Sequence, residues 1–210
     1  MTSLQHPSAS SRSNLRLYGR RVALRPLVPP DFDQYRDVRQ RNEEWLLPWE
    51  PTRLSLSADP ARDHGAFVSR CVMRDKERQM GSAFGLGLFV GDELIGEVNL
   101  NSVQRGALQG ATVGYWVDRA HAGHAYVAEG VVALARFAFD ELNLHRLEIC
   151  ILPRNHRSRR VMEKLQIREE GVALRFLEIA GVWEDHVRYG FTAEEWAECR
   201  ADLTQTWLGS

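Results

Sequence analysis

The chain has 210 residues, 44% hydrophobic and 26% charged, the composition of one globular domain with a single substantial core. Its formal net charge of -1 excludes whole-molecule electrostatics as a route to nucleic acid or a membrane surface. Three cysteines, Cys71, Cys150 and Cys199, are an odd number without metal-ligand spacing, and a reducing cytoplasm is the compartment expected for them.

Residues 1–14, MTSLQHPSASSRSN, are polar and Ser-rich, lack the apolar core of a secretory signal and are expected to have no fixed structure. A single domain is expected over 15–210. No apolar run approaches the ~20 residues that span a bilayer. Residues 15–27 alternate apolar and basic side chains around Gly19 and read as a strand or short hairpin. Pro29-Pro30-Asp31 then opens a helix, with Asp31 as N-cap and Phe32, Tyr35 and Val38 on the apolar side. In residues 42–51, NEEWLLPWEP, the prolines break helix, while Trp45 and Trp49 need burial or a ligand. The segment reads either as a helix end packed on the core or as one wall of an acceptor cleft.

A second helix is expected over 58–78, capped by Asp59, with Phe67, Cys71 and Met73 inward. Residues 81–90, GSAFGLGLFV, form a glycine-rich strand that turns at Gly91-Asp92 and returns over 93–103. On the return strand Leu94, Val98 and Leu100 should share one face, with Glu97, Asn99 and Asn101 on the other. In mid-sheet, such a polar face reads as an active-site cleft.

The next strand, 111–117, breaks into a loop over 118–125. An amphipathic helix follows, with Val127, Val131, Leu134, Ala135 and Ala138 on one face. Then come a strand over 147–152, where Cys150 reads as a small core residue, and a helix opening near Asn155. A helix N-terminus reached through small residues offers unpaired N–H groups and the positive end of the dipole, which suits a pyrophosphate. Residues 171–180 and 183–191 form a hairpin around Gly181, and Thr192 to Glu195 is a capping box opening a last helix through Trp196 and Trp207. The fold class is α+β: a central mixed, mainly antiparallel sheet with helices on both faces, its strand-helix-strand unit paired in parallel.

The block GYWVDRAHAGHAYVAEG, followed by N-x-x-S-x-x-V-x-E-K-L and E-E-G, resembles the GNAT acetyltransferases, which move acetyl from acetyl-CoA to an amine. Within them it is most similar to the RimJ/RimL type, the ribosomal-protein alanine N-acetyltransferases. The matching residues are Gly114, Tyr115 and Trp116, then Gly123, then Asn155, Ser158, Val161, Glu163, Lys164 and Leu165. Glu170, Gly171, Gly181, Asp185 and Tyr189 continue the pattern, and Leu47-Pro48-Trp49-Glu50-Pro51 matches an upstream block. The resemblance spans roughly residues 15–196.

The resemblance implies a three-layer GNAT-like fold and acetyl-CoA as co-substrate, with no metal. Coenzyme A is expected against Trp116 and Val117, against Gly123, His124, Ala125, Tyr126, Val127 and Ala128, and against Asn155, Arg157 and Arg160. The family loop runs Arg/Gln-x-x-Gly-x-Gly/Ala. Here Ala122 replaces the basic or amide residue, Ala125 keeps a small one, and Val127 would crowd the loop. His121 and His124 either restore some positive charge when protonated or are plain loop residues, and no third ligand stands near for zinc. Arg154, Arg157, Arg159 and Arg160 oppose the dipole at a helix start, which calls for an anion nearby. Arginine forks suit phosphates, and groove-reading motifs for nucleic acid are absent.

Ser158 either protonates the departing thiolate or caps its helix; the Tyr that many relatives carry four residues on is Met162 here. Gln166 stands where relatives have a C-capping Gly. The general base is expected to be Glu97, with Glu178, Glu184 and Asp185 as alternatives. Trp45, Trp49, Asn99, Asn101 and Glu178 are expected to line the acceptor cleft. The expected acceptor is a protein N-terminus, and the alternatives are a small amine (polyamine, amino acid or antibiotic) or a non-catalytic acyl-CoA-binding module. The protein is expected to be cytoplasmic, monomeric or homodimeric, without nucleic-acid or membrane partners.

Overall fold

The computed structural model describes residues 15–51 and 58–209. The polar tail over 1–14 lies outside the described residues. The chain begins with a short hairpin, β1 (Leu17–Tyr18) and β2 (Ala23–Arg25), and continues through α1 (Phe32–Arg41) and the single-turn α2 (Glu43–Leu46) to α3 (His64–Met80). Strands β3 (Phe84–Val90), β4 (Glu93–Gln104) and β5 (Gly110–Val117) precede α4 (Tyr126–Arg136) and β6 (Arg146–Ile151). Helix α5 (His156–Leu165), the hairpin β7 (Arg168–Ile179) and β8 (Val182–Thr192), and α6 (Ala193–Trp207) complete it.

All eight strands join one sheet in the order β1-β2-β3-β4-β5-β6-β8-β7. Among the described residues only β5 and β6 pair in parallel, because the crossover through α4 returns the chain in the same direction. Two apolar clusters lie on opposite faces, giving the expected three layers. One joins Leu24, Leu86, Leu88, Val98 and Leu100 of the sheet to α4, to Met162 and Leu165 of α5 and to Trp196 of α6. The other joins Tyr35 and Val38 of α1 and Phe67 and Cys71 of α3 to Leu27, Phe89 and Leu94. Phe67 is fully buried, its ring centroid 4.9 Å from that of Tyr35.

Helix α4 is buried all round from Val127 to Ala135, not on the one face its spacing suggests. It lies close on the sheet, where a Cβ at Gly130 would come 3.1 Å from Val98 and 3.2 Å from Leu88. The last helix opens with the expected capping box: Thr192 Oγ1 accepts from Glu195 N–H, and Glu195 accepts from Thr192 N–H.

Four expectations need correction. Helix α3 starts at His64 with Asp63 as N-cap, accepting from Ala66 N–H at 2.7 Å; Asp59 instead holds the preceding turn through Ala61 N–H. Met73 faces outward, because Phe67 and Cys71 already define the inner stripe. Asp31 stands at the N-cap of α1 as expected but its side chain makes no capping bond; the carboxylate turns back to Arg25, at 2.7 and 2.8 Å, and to Val28 N–H. Leu94 does not share a face with Val98 and Leu100. Leu88 pairs with Gly96 but Phe89 with Leu94, so Ile95 is the extra residue of a β-bulge, and side chains before it switch faces.

Candidate active site

Strands β5 and β6 run together for only three pairs, Gly110 with Arg146, Ala111 with Leu147 and Thr112 with Glu148. Beyond them β5 follows β4 to Val117 while β6 follows β8 to Ile151. The sheet therefore opens between Val113–Val117 and the start of α5. At the far end of β5 the backbones crowd: a Cβ at Gly96 would sit 2.2 Å from the Trp116 carbonyl oxygen, so only glycine fits there. Trp45 closes this end, its indole N–H donating to the Val117 carbonyl at 3.1 Å.

The loop after β5 is anchored at both ends. Asp118 is buried and accepts from Arg41 Nε at 3.0 Å, Asn42 Nδ2 at 2.8 Å and Ala120 N–H at 3.1 Å. Burial alone would push its carboxyl up, but these donors outweigh that and hold it below the usual range. Glu93 and His121 approach the same carboxylate, within 4.8 Å of one another, but Arg41 already meets its charge. At the other end Glu129 of α4 is buried and accepts from Val22 N–H at 2.8 Å and Arg21 Nε at 2.9 Å, tying the helix to the β1–β2 hairpin.

Between these anchors Gly123 and Ala125 both take positive φ, 88° and 64°. Glycine does so freely; alanine does so under strain. The first bond of the α4 ladder runs from Glu129 N–H to the Ala125 carbonyl at 3.1 Å, so the N–H groups of Tyr126, Val127 and Ala128 precede the ladder. A Cβ at Gly123 would meet nothing within 4 Å, which leaves that side of the turn open. His124 stacks on Tyr126 at 5.6 Å, and the Arg21 guanidinium covers that ring at 4.8 Å. Val127 points into the main core and does not crowd the loop, contrary to expectation, because it already belongs to the helix.

Across the opening, Asn155 caps α5 by accepting from Ser158 N–H at 3.1 Å. This corrects the alternative in which Ser158 is the cap. The Ser158 hydroxyl lies 2.8 Å from Tyr115 Oη, a partner that sequence reasoning missed although Tyr115 belongs to the GYW block. Burial pushes the Tyr115 phenol above its ordinary pKa of 10.0, more than its bond to Ser158 lowers it. The four arginines separate by role. Arg154 pairs with Glu184 and lies 5.1 Å over Trp49, while Arg159 donates to Tyr189 Oη at 3.1 Å. Arg157 stacks 4.7 Å over Trp45, whose other neighbour is Arg119 at 5.8 Å, and Arg160 is exposed.

The face of β4 that carries Glu97 lies under α3. Both Glu97 oxygens accept from Arg70, at 2.7 and 2.9 Å, and one also from Trp116 Nε1 at 3.0 Å. Burial would raise this carboxyl, but Arg70, Trp116 and Arg74 together hold it below the usual carboxylate range. A free general base does not fit this geometry: three donor contacts and the Arg70 charge hold the buried carboxylate in its ionised form and lower its affinity for a proton. The Trp116 indole lies on this face too, away from the loop, and Arg39 covers it at 5.0 Å while holding Glu50 at 2.6 and 2.7 Å. Asn99 accepts from Leu86 N–H at 2.9 Å and Asn101 faces Arg74 at 3.5 Å. Trp45 and Trp49 instead meet Arg157 of α5 and Arg154 of the turn before it, so the expected acceptor wall is in two groups joined through Trp116, Arg39 and Glu50. Asp185 accepts from Arg175 N–H at 2.8 Å. Among the described residues the Glu178 side chain makes no hydrogen bond or ion pair, while its backbone pairs with Trp183 and it adjoins Ile179, which bridges to Pro51.

Residues 21–168 match the model of the acetyltransferase (GNAT) domain. The N-acetyltransferase YjcK of Bacillus subtilis, so named provisionally, is 34% identical over 172 residues, covering 81% of this chain and 93% of its own. YdaF of the same organism, provisionally named a ribosomal N-acetyltransferase, is 28% identical over 83% of this chain and 93% of its own. Among solved structures, Mycobacterium smegmatis RimJ in complex with CoA-disulfide superposes with a TM-score of 0.82 at 28% identity, covering 96% of this chain and 97% of that one. The model's match alone covers well over half of the sequence, and the chain belongs to the GNAT acetyltransferase family.

Proposed function

We propose that this acetyltransferase moves acetyl from acetyl-CoA to the α-amine of a protein N-terminus by direct transfer. The observation that carries the reading is the pairing of two features across one opening: the N–H groups that precede the ladder at the start of α4, without a partner among the described residues, and the Ser158 hydroxyl at the start of α5. The residues present fit the co-substrate. Tyr126, Val127 and Ala128 N–H groups with Gly123 would take the pyrophosphate. Arg157 and Arg160 would meet phosphate charge, and the Val113–Val117 edge has backbone groups for an extended amide arm. Acetyl-CoA supplies the activated thioester. Ser158 serves the sulfur, and Asn155 keeps an amide N–H for the arm while its oxygen holds the cap.

On the acceptor side Trp45 and Trp49 give an apolar wall and Glu178 an unengaged carboxylate at its edge. We assign proton removal to Glu178 or to solvent beside it, since Glu97 is committed to Arg70. The relatives support a protein acceptor: RimJ gives the structural likeness, and YdaF carries the ribosomal name.

The cofactor half is tested at Gly123. Gly123→Asp puts a carboxylate into open space beside the proposed pyrophosphate site, at a φ that Asp tolerates better than most residues. Calorimetry should find acetyl-CoA binding lost in a folded variant. Unchanged affinity would remove the loop from the cofactor site.

A further inference from the structure

The hydrogen bond between Tyr115 and Ser158 spans the place where the sheet opens. Tyr115 lies three residues beyond Thr112, the last β5 residue paired with β6, on the strand face it shares with the core residue Val113. Its hydroxyl is 2.8 Å from Ser158 Oγ and 3.4 Å from the Ser158 carbonyl, so the serine oxygen is the nearer acceptor for its single proton. Ser158 is fixed independently through its N–H, held by Asn155. One turn further along α5 stands Met162, fully buried and without a hydroxyl.

A serine hydroxyl has one proton and two lone pairs. Where a neighbour donates into a lone pair, the serine proton is left for another acceptor. We propose that Tyr115 is a positioning residue for acetyl transfer: its phenol donates to Ser158 Oγ and turns the serine proton into the opening between β5 and β6. This rests on the reading above, in which Ser158 serves the departing sulfur. As the carbon–sulfur bond breaks and the nitrogen–carbon bond forms, the electron pair stays on sulfur. Ser158 gives its proton to that sulfur and recovers one from solvent, while the amine releases one. Tyr115 keeps its own proton throughout, consistent with a phenol that burial makes harder to ionise.

The test compares wild type, Tyr115→Phe, Ser158→Ala and the double variant. Three quantities are read: kcat with chemistry rate-limiting, acetyl-CoA affinity by calorimetry, and the ultraviolet titration of the thiol of enzyme-bound CoA. Tyr115→Phe should lower kcat by about 10- to 100-fold, the loss expected from a misplaced reacting group, with affinity unchanged. It should raise the pKa of the bound thiol, as Ser158→Ala does, and add nothing in the Ser158→Ala background. A full additional loss in the double variant, or wild-type kcat for Tyr115→Phe beside a slow Ser158→Ala, overturns the role of Tyr115 alone. If Ser158→Ala itself changes neither kcat nor the bound thiol, the reading of Ser158 fails and the proposal with it. Should Tyr115→Phe unfold early, a fluorotyrosine at position 115 keeps the shape and acidifies the phenol. A new alkaline fall in kcat is then expected, and its absence counts against the proposal.

Discussion

Ala125 holds a left-handed conformation, φ 64° and ψ 14°, at the N-cap of α4. An L-residue there costs roughly 1–2 kcal/mol, of which glycine would recover part, since its freer unfolded chain returns roughly 0.5–1 kcal/mol. Ala125→Gly should therefore stabilise the fold by about 0.5–1 kcal/mol without weakening acetyl-CoA binding, measured by urea unfolding and calorimetry. A destabilised variant would contradict the assigned strain. The small residue at 125 is legible in the sequence; its φ is not, because alanine gives no signal of it. Glu97 shows the same limit. Strand alternation puts it on a polar face, but only the fold reveals that Arg70, 27 residues earlier, lies on top of it. Glu97→Gln leaves a buried guanidinium without its counter-charge and should cost about 3–5 kcal/mol. Because the folded carboxyl titrates below its ordinary value of 4.5, the pair contributes fully above about pH 4.5 and is lost as pH falls through the folded pKa. The gap between wild type and Glu97→Gln should be widest at neutral pH and close in acid. A gap that grew on acidification would refute this.

At the scale of elements, residues 42–51 act as a strap. Asn42 fastens one end to Asp118 and to Arg119 N–H, and Pro51 bridges to Ile179 at the other. Between them Trp45 and Trp49 lie under Arg157 and Arg154, so α2 and the 3-10 turn after it (Leu47–Trp49) reach across the opening to α5 and the turn before it. Tryptophan truncation at a recognition surface commonly costs more than ~1.4 kcal/mol, which is tenfold. Trp49→Ala should accordingly raise peptide KM by about tenfold or more and leave acetyl-CoA affinity within about twofold. Equal losses in both would make Trp49 part of the general scaffold. The proline and tryptophan density marks this segment in the sequence, but Arg157 over Trp45 and Arg154 over Trp49 each lie more than a hundred residues away. The start of α3 differs from its expected place for a local reason: Asp59 and Asp63 are both good capping residues, and the three-residue turn between them decides which one caps the helix. The bulge at Ile95 was invisible because the pattern on either side of it still alternates.

At the scale of the molecule, the order of elements carries the three-layer fold, and the parallel pair at β5–β6 follows from the crossover through α4. The opening in the sheet does not follow from any residue pattern; it arises because β5 stays with β4 and β6 with β8 beyond their third pair. Among the described residues no helix is long and apolar enough to cross a membrane. The acceptor is the central claim, and its chemistry sets the test. An α-amine has an unperturbed pKa of ~7.7–8.0 against ~10.4 for lysine, a difference of roughly 3.4 kcal/mol in the cost of the neutral amine. With proton removal assigned, as proposed, to a lone carboxylate such as Glu178, the cleft would suit an N-terminus better than a lysine side chain. The direct measurement is turnover of acetyl-CoA with a library of N-terminal peptides, alongside polyamines and free amino acids, with mass spectrometry locating the acetyl group. Acetylation of α-amines, favouring short first side chains and sparing lysines, is the predicted result. Rapid acetylation of polyamines or amino acids with the peptides untouched would contradict the assignment.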